Sequence, residues 1–160
     1  MSIKVGDKIP SVPLKHMGKD GIETVNTDEL FKGKKVVLFA LPGAFTPTCS
    51  AKHLPGFVQH AEAIKGKGID AIACLSVNDA FVMDAWGKAQ NVGDKVMMLA
   101  DGNADFSKAV GLTMDGTGYG MGTRACRYAM VIDNGVVKAL NVEAPGAFEV
   151  SSAESVMKAL

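Results

Sequence analysis

Five apolar runs, divided by stretches of helical periodicity, limit the folds open to this chain. They are Lys35 to Leu41 (KVVLFAL), Ile69 to Val77 (IDAIACLSV), Val96 to Ala100 (VMMLA), Arg127 to Ile132 (RYAMVI) and Val136 to Val142 (VVKALNV). Each reads as a strand. The first three lack an apolar/polar alternation, as parallel strands do when helices cover both faces of a sheet. The last two are joined by Asp133-Asn134-Gly135, and Asn-Gly tolerates the positive φ of a tight hairpin. The sheet is therefore expected to be mixed.

Between the strands, Leu54, Phe57, Val58, Ala61 and Ile64 recur at helical spacing until Gly66-Lys67-Gly68 stops them. Pro55 should kink that helix, because it removes a ladder bond and crowds the preceding turn. Phe81, Val82, Ala85, Trp86 and Ala89 mark a second helix, capped near Asn78 or Asp79. The terminal SSAESVMKAL carries a capping box from Ser151 to Glu154 and should close the domain as a helix. Pro13 to Val25 turns at Gly18 to Gly21 and reads as an N-terminal hairpin, and Gly111 to Arg124 reads as a glycine-rich loop. Residues 1–160 thus form one α/β domain, a thioredoxin-like sandwich with a central mixed sheet, flanking helices and an N-terminal hairpin extension.

Seventeen basic residues balance seventeen acidic ones, which leaves no net field for nucleic acid or anionic lipid. No stretch approaches the roughly 18 consecutive apolar residues of a membrane span, and MSIKVGDKIP lacks the apolar run of a signal peptide. The expected compartment is the cytoplasm, with neither nucleic acid nor membrane as partner. Three widely spaced cysteines, Cys49, Cys74 and Cys126, resemble no disulfide framework and suit a reducing environment.

The first run ends at Pro42-Gly43, so the loop after it lies at the carboxyl end of a central strand, where open α/β sheets place their sites. Thr46 is a natural N-cap, Pro47 suits the first helical position, and Cys49 falls three residues after the cap. There the unpaired amides and the positive end of the helix favour thiolate over thiol. A sulfur so placed should be ionised and open to oxidants. The motif is T-P-T-C rather than C-x-x-C, so Cys49 has no disulfide partner within it, and Thr46 offers a hydroxyl to an oxygen-bearing substrate.

The stretch PGAFTPTCS followed by HLPGF resembles the active-site signature P-G-A-F-T-P-x-C-S of the peroxiredoxins, specifically the atypical type-II or type-5 subfamily. The similarity extends through LSVNDAFVMDAW and RYAMVIDNGVVKALNVE, nearly the whole chain. It implies a thioredoxin-like thiol peroxidase, without bound cofactor or metal, that reduces hydrogen peroxide and organic hydroperoxides through a cysteine sulfenic acid. By position it makes Cys49 the peroxidatic cysteine, Thr46 the hydroxyl that contacts peroxide, Pro42 the shield of the pocket and Arg127 the guanidinium beside the sulfur. Arg124 is the alternative cation. It also implies a homodimer formed through loops around the site; Phe45, Phe81, Trp86 and Met121 read as core, or as an interface where some of them are exposed together. Members with an intramolecular disulfide carry a second cysteine near the C-terminus, where this chain has Ser151 and Ser152. Glutathione with glutaredoxin, or thioredoxin, is therefore the expected reductant. Cys74 and Cys126 read as packing residues.

Rival constellations are weaker. Cys49, His53 and His60 share a helical face, but eleven residues span about 16 Å, too far for one zinc ion. His53, His60 and His16 read as surface or packing residues. A Cys-His hydrolase lacks a third group to orient His53. The glycines of GTGYGMGTR have no strand before them and no Lys-Ser or Lys-Thr after them, so they read as a mobile loop rather than a phosphate cradle. A redox-sensing protein forming mixed disulfides through Cys49 is the main alternative to an enzyme.

Overall fold

The computed structural model describes residues 2–160. In chain order, β1 (Pro13–Gly18) and β2 (Gly21–Asn26) form the expected hairpin, followed by α1 (Thr27–Phe31) and β3 (Lys35–Ala40). A helical segment starting at Pro47 passes through a π-turn at Cys49–His53 into α2 (Leu54–Gln59) and α3 (Ala61–Lys65). There follow β4 (Ala71–Ser76), α4 (Ala80–Ala89), β5 (Met97–Ala100), α5 (Asp105–Val110), β6 (Thr113–Asp115), β7 (Thr123–Ala125), β8 (Tyr128–Asp133), β9 (Val136–Val142) and α6 (Ala153–Lys158).

Seven strands make one sheet in the order β2-β1-β5-β4-β3-β8-β9. The centre, β5-β4-β3, is parallel, and β8, β9, β1 and β2 join antiparallel to their neighbours. This is the mixed thioredoxin-like arrangement that the apolar runs require. The strand alternation explains why β3 shows no polar face. Val37, Phe39 and Leu41 enter one core with Cys49, Phe57 and Trp86, while Val36, Leu38 and Ala40 enter the other with Phe31, Phe106 and Tyr128. Both faces are buried, and each fully buried large side chain contributes about 1.5–3 kcal/mol.

Three local expectations need correction. The cap of α6 is Ser152, whose hydroxyl accepts from the Ser155 amide at 3.1 Å, rather than Ser151. Ser151 is withdrawn from capping because its amide and hydroxyl both donate to Glu143. The break at Pro55 takes the form of a π-turn immediately before it, in which the Leu54 amide reaches the Cys49 carbonyl. Proline supplies no donor to the turn behind it, and a widened turn absorbs the mismatch. Finally, Gly111 to Arg124 is not loop throughout. It contains the small β6-β7 hairpin, in which Gly120 and Gly122 adopt φ of +70° and +67°. A Cβ on Gly116 would lie 2.9 Å from Met121 Cβ, so the glycines build a tight turn and are needed for close approach.

Candidate active site

The loop after β3 is fixed before it reaches the helix. The Leu41 amide donates to the Leu75 carbonyl, the Ala44 amide to Asn78 Oδ1 at 3.0 Å, and Arg124 Nη1 to the Pro42 carbonyl at 3.3 Å. Arg124 Nε donates to the Met121 carbonyl as well. This guanidinium therefore ties two loops together. Phe45 takes φ of +62°, a left-handed conformation that costs a bulky residue of order 1 kcal/mol or more and that the flanking bonds hold in place.

The helix begins at Pro47, as the sequence implies, and the Ser50 amide donates to the Thr46 carbonyl at 2.9 Å. The Thr46 side chain does not cap it. Its hydroxyl donates to the Gly43 carbonyl at 2.7 Å, leaving the oxygen lone pairs to accept. Cys49 sits in the first turn, and Arg127, just ahead of β8, reaches it with Nη2 at 3.2 Å from Sγ. Ala129 and Val131 continue on the Cys49 side of the sheet, whereas Tyr128 and Cys126 pack on the other. Arg127, rather than Arg124, is the cation at the sulfur.

The expectation of an open sulfur is not met: Cys49 has 0% exposure. Above it Arg127 lines a cavity of about 790 Å³ together with Pro42, Thr48, Lys52, Met114, Tyr119, Cys126, Glu143 and Phe148. A substrate must part the residues covering Sγ to reach it. Pro42 is on the wall of this cavity, and Thr46, which is not among its lining residues, is tied to the carbonyl of Gly43 next to Pro42. Cys74 is fully buried in β4, where burial pushes its thiol well up. Cys126 is partly exposed at the cavity, and burial raises it too. Among the described residues all three cysteines are free, and no group of three His, Cys, Asp or Glu is arranged for a metal ion.

His53, expected as a surface or packing residue, does pack, but it also touches the site. It is 0% exposed, in the same π-turn as Cys49, and packed by the rings of Phe39, Phe57 and Phe148. Its Nδ1 lies 2.8 Å from Arg127 Nη1 and its Nε2 lies 3.0 Å from the Ser151 carbonyl. A guanidinium and a carbonyl leave one consistent assignment: Nε2–H donates to Ser151, and Nδ1 accepts from Arg127. Arg127 thus holds its fork between an imidazole and the sulfur, with Phe148 under its Cζ at 5.8 Å. The i, i+4 spacing of Cys49 and His53 was visible, but the groups that orient His53 come from 74 and 98 residues away. His60 pairs with Glu154 and His16 with Glu23, both at the surface.

Burial, and secondarily the Arg127 charge, lowers the His53 pKa from 6.5 to about 3. A depressed basic pKa means that below pH 6.5 the unfolded chain takes up a proton that the folded one refuses. Stability is then lost as pH falls, by about 2 kcal/mol between pH 7 and pH 5. Thermal melts at these two pH values should show that loss in the native protein and a smaller one in His53→Gln. Equal losses in both would remove His53 as the cause. The raised Asp101 works in the opposite direction, but it is common to both proteins.

The Redoxin family model matches residues 4–157. The chloroplastic peroxiredoxin-2E of Arabidopsis thaliana is 52% identical over 163 residues, covering 99% of this chain and 70% of its own length. Peroxiredoxin-2C of the same plant is 47% identical over 159 residues, covering 99% and 98%. The crystal structure of reduced Prx3 in complex with H2O2 from Vibrio vulnificus has a TM-score of 0.95 at 57% identity, covering 98% of each chain.

Proposed function

Since this chain belongs to the peroxiredoxins, the thiol peroxidases of the Redoxin family, we propose that it reduces hydrogen peroxide and organic hydroperoxides by attack of Cys49 Sγ on peroxide oxygen. The observation that carries the assignment of residues is the Arg127 Nη2 contact with Sγ at 3.2 Å. A guanidinium nitrogen this close can donate to the sulfur and to charge that develops beside it as the S–O bond forms. When peroxide enters, the same cation polarises the O–O bond and stabilises charge on the leaving oxygen. Thr46, its own proton committed to Gly43, accepts from the peroxide O–H and orients it. Pro42 walls off water.

In the step itself the S–O bond forms as the O–O bond breaks. The sulfur is oxidised to sulfenic acid, and the departing alkoxide or hydroxide takes a proton to leave as alcohol or water. A reductant thiol then displaces water from the sulfenic acid to give a mixed disulfide, and a second thiol releases Cys49. We take glutathione with glutaredoxin, or thioredoxin, as the source of those thiols, because no cysteine follows Cys126. Three free cysteines suit a reducing compartment, and the cytoplasm is the compartment proposed for this single domain. Exposed Phe45, in the loop before Cys49, and exposed Phe81, in the first turn of α4, favour a homodimer, which sedimentation at micromolar concentration tests.

Mass spectrometry after one equivalent of peroxide gives the decisive reading. Cys49 alone should gain one oxygen, and should return to thiol with glutathione plus glutaredoxin or with thioredoxin. Recovery after repeated additions supports turnover. A single stoichiometric oxidation with every reductant would instead support the sensing alternative, in which Cys49 forms a lasting mixed disulfide with a client protein.

A further inference from the structure

The guanidinium beside Cys49 is held by more than His53. The Glu143 amide donates to the Arg127 carbonyl at 3.0 Å, one residue beyond β9. Glu143 Oε2 accepts from the Ser151 amide at 2.8 Å and the Ser151 hydroxyl at 2.7 Å. The same oxygen accepts from the amides of Glu149 at 2.8 Å and Val150 at 2.9 Å. The Ser151 carbonyl takes the His53 Nε2 proton, and His53 Nδ1 takes the Arg127 Nη1 proton. The bonds form a circuit that leaves Arg127 at its backbone and returns at its side chain.

We propose that Glu143 is a positioning residue for peroxide reduction, setting the Arg127 guanidinium through Ser151 and His53. The proposal rests on the reading of Cys49 as the reacting sulfur and Arg127 as its cation. Three successive amides converging on one oxygen make an anion-binding concavity, and a fourth donor from the Ser151 hydroxyl saturates it. A carboxylate is the side chain suited to four donors, because each bond to a charged acceptor is stronger than one to a neutral acceptor. Burial alone would raise the Glu143 pKa, yet these donors hold it below the usual carboxylate value. Residues 144–152 form neither helix nor strand, so Glu143 is what fixes the Ser151 carbonyl in space. That carbonyl selects the Nε2–H tautomer of His53. Only this tautomer offers Nδ1 as an acceptor, and only an accepting Nδ1 can hold Nη1 while Nη2 faces the sulfur.

The test reads the single-turnover rate of Cys49 oxidation by hydrogen peroxide, quenched and followed by mass spectrometry, which needs no reductant. It is paired with long-range proton–nitrogen NMR of the His53 ring. Glu143→Ala is expected to slow oxidation roughly tenfold or more, as misplaced catalytic groups do, and to replace the single Nε2–H signature by a mixture. Glu143→Gln keeps an acceptor oxygen without the charge and should recover part of both. A folded Glu143→Ala with the native rate, or with the native His53 signature, overturns the proposal. Where Glu143→Ala does not fold, Glu143→Gln decides: a rate and tautomer indistinguishable from native overturn it, and partial loss of both sustains it. Arg127→Ala serves as the reference. If it oxidises at the native rate, the reading of the site fails rather than the role of Glu143 alone.

Discussion

Cys49→Ser is expected to abolish peroxide turnover, lowering the rate by roughly four orders of magnitude or more. Oxygen replaces sulfur at nearly the same volume, so the packing around position 49 survives and Arg127 still finds an acceptor. What disappears is the nucleophile. An alcohol is essentially never ionised near neutral pH, while thiols ionise readily and thiolates are intrinsically far more nucleophilic. Cys74→Ala and Cys126→Ser supply the contrast. Cys74 is sealed in β4 with its thiol raised by burial, and Cys126 packs on the face of the sheet opposite Cys49. Both variants should retain most of the activity, measured as peroxide loss coupled to glutathione plus glutaredoxin. Turnover surviving in Cys49→Ser, or vanishing in either contrast variant, would falsify the assignment of the reacting sulfur.

The features that survive from sequence to structure are those encoded by repetition. The run Val136 to Val142 is β9 to the residue, and the other four strand runs shift by one or two residues at their ends. Arg127, read as the first residue of a strand, stands just before β8. What was hidden is short or borrowed. The helices α1 and α5 span five and six residues, too few turns for an apolar face to repeat. The β6-β7 hairpin is masked because its turn needs glycines rather than an apolar pattern. Ser151 and Ser152 are chemically identical candidates for a cap, and only the remote Glu143 separates them by claiming the first. His53 depends on a backbone carbonyl at Ser151, a group any residue would supply, so no side-chain pattern announces it. Burial of Cys49 under Arg127 is likewise a product of packing between segments 78 residues apart.

Arg127→Ala should lower kcat/KM for hydrogen peroxide by about 10² to 10³, the usual loss when a donor to developing charge is removed from a water-poor site. Arg127→Lys should restore no more than about a tenth of that gap. Nη1 and Nη2 serve His53 and Cys49 at the same time, at 2.8 and 3.2 Å, and a planar fork makes both bonds without reorganisation. An ammonium is a point charge on a flexible stem, able to satisfy one acceptor well and unable to stack its head on Phe148 as a guanidinium does. The two substitutions also separate charge from geometry at His53. Burial is the larger cause of its low pKa and the Arg127 charge the smaller, so Arg127→Ala should raise that pKa above 3 while leaving it below 6.5. Arg127→Lys, which keeps the charge, should raise it less. Ring-proton NMR titration of His53 checks the order. Should both variants oxidise Cys49 as fast as the native protein, the contact at Sγ has no part in the chemistry.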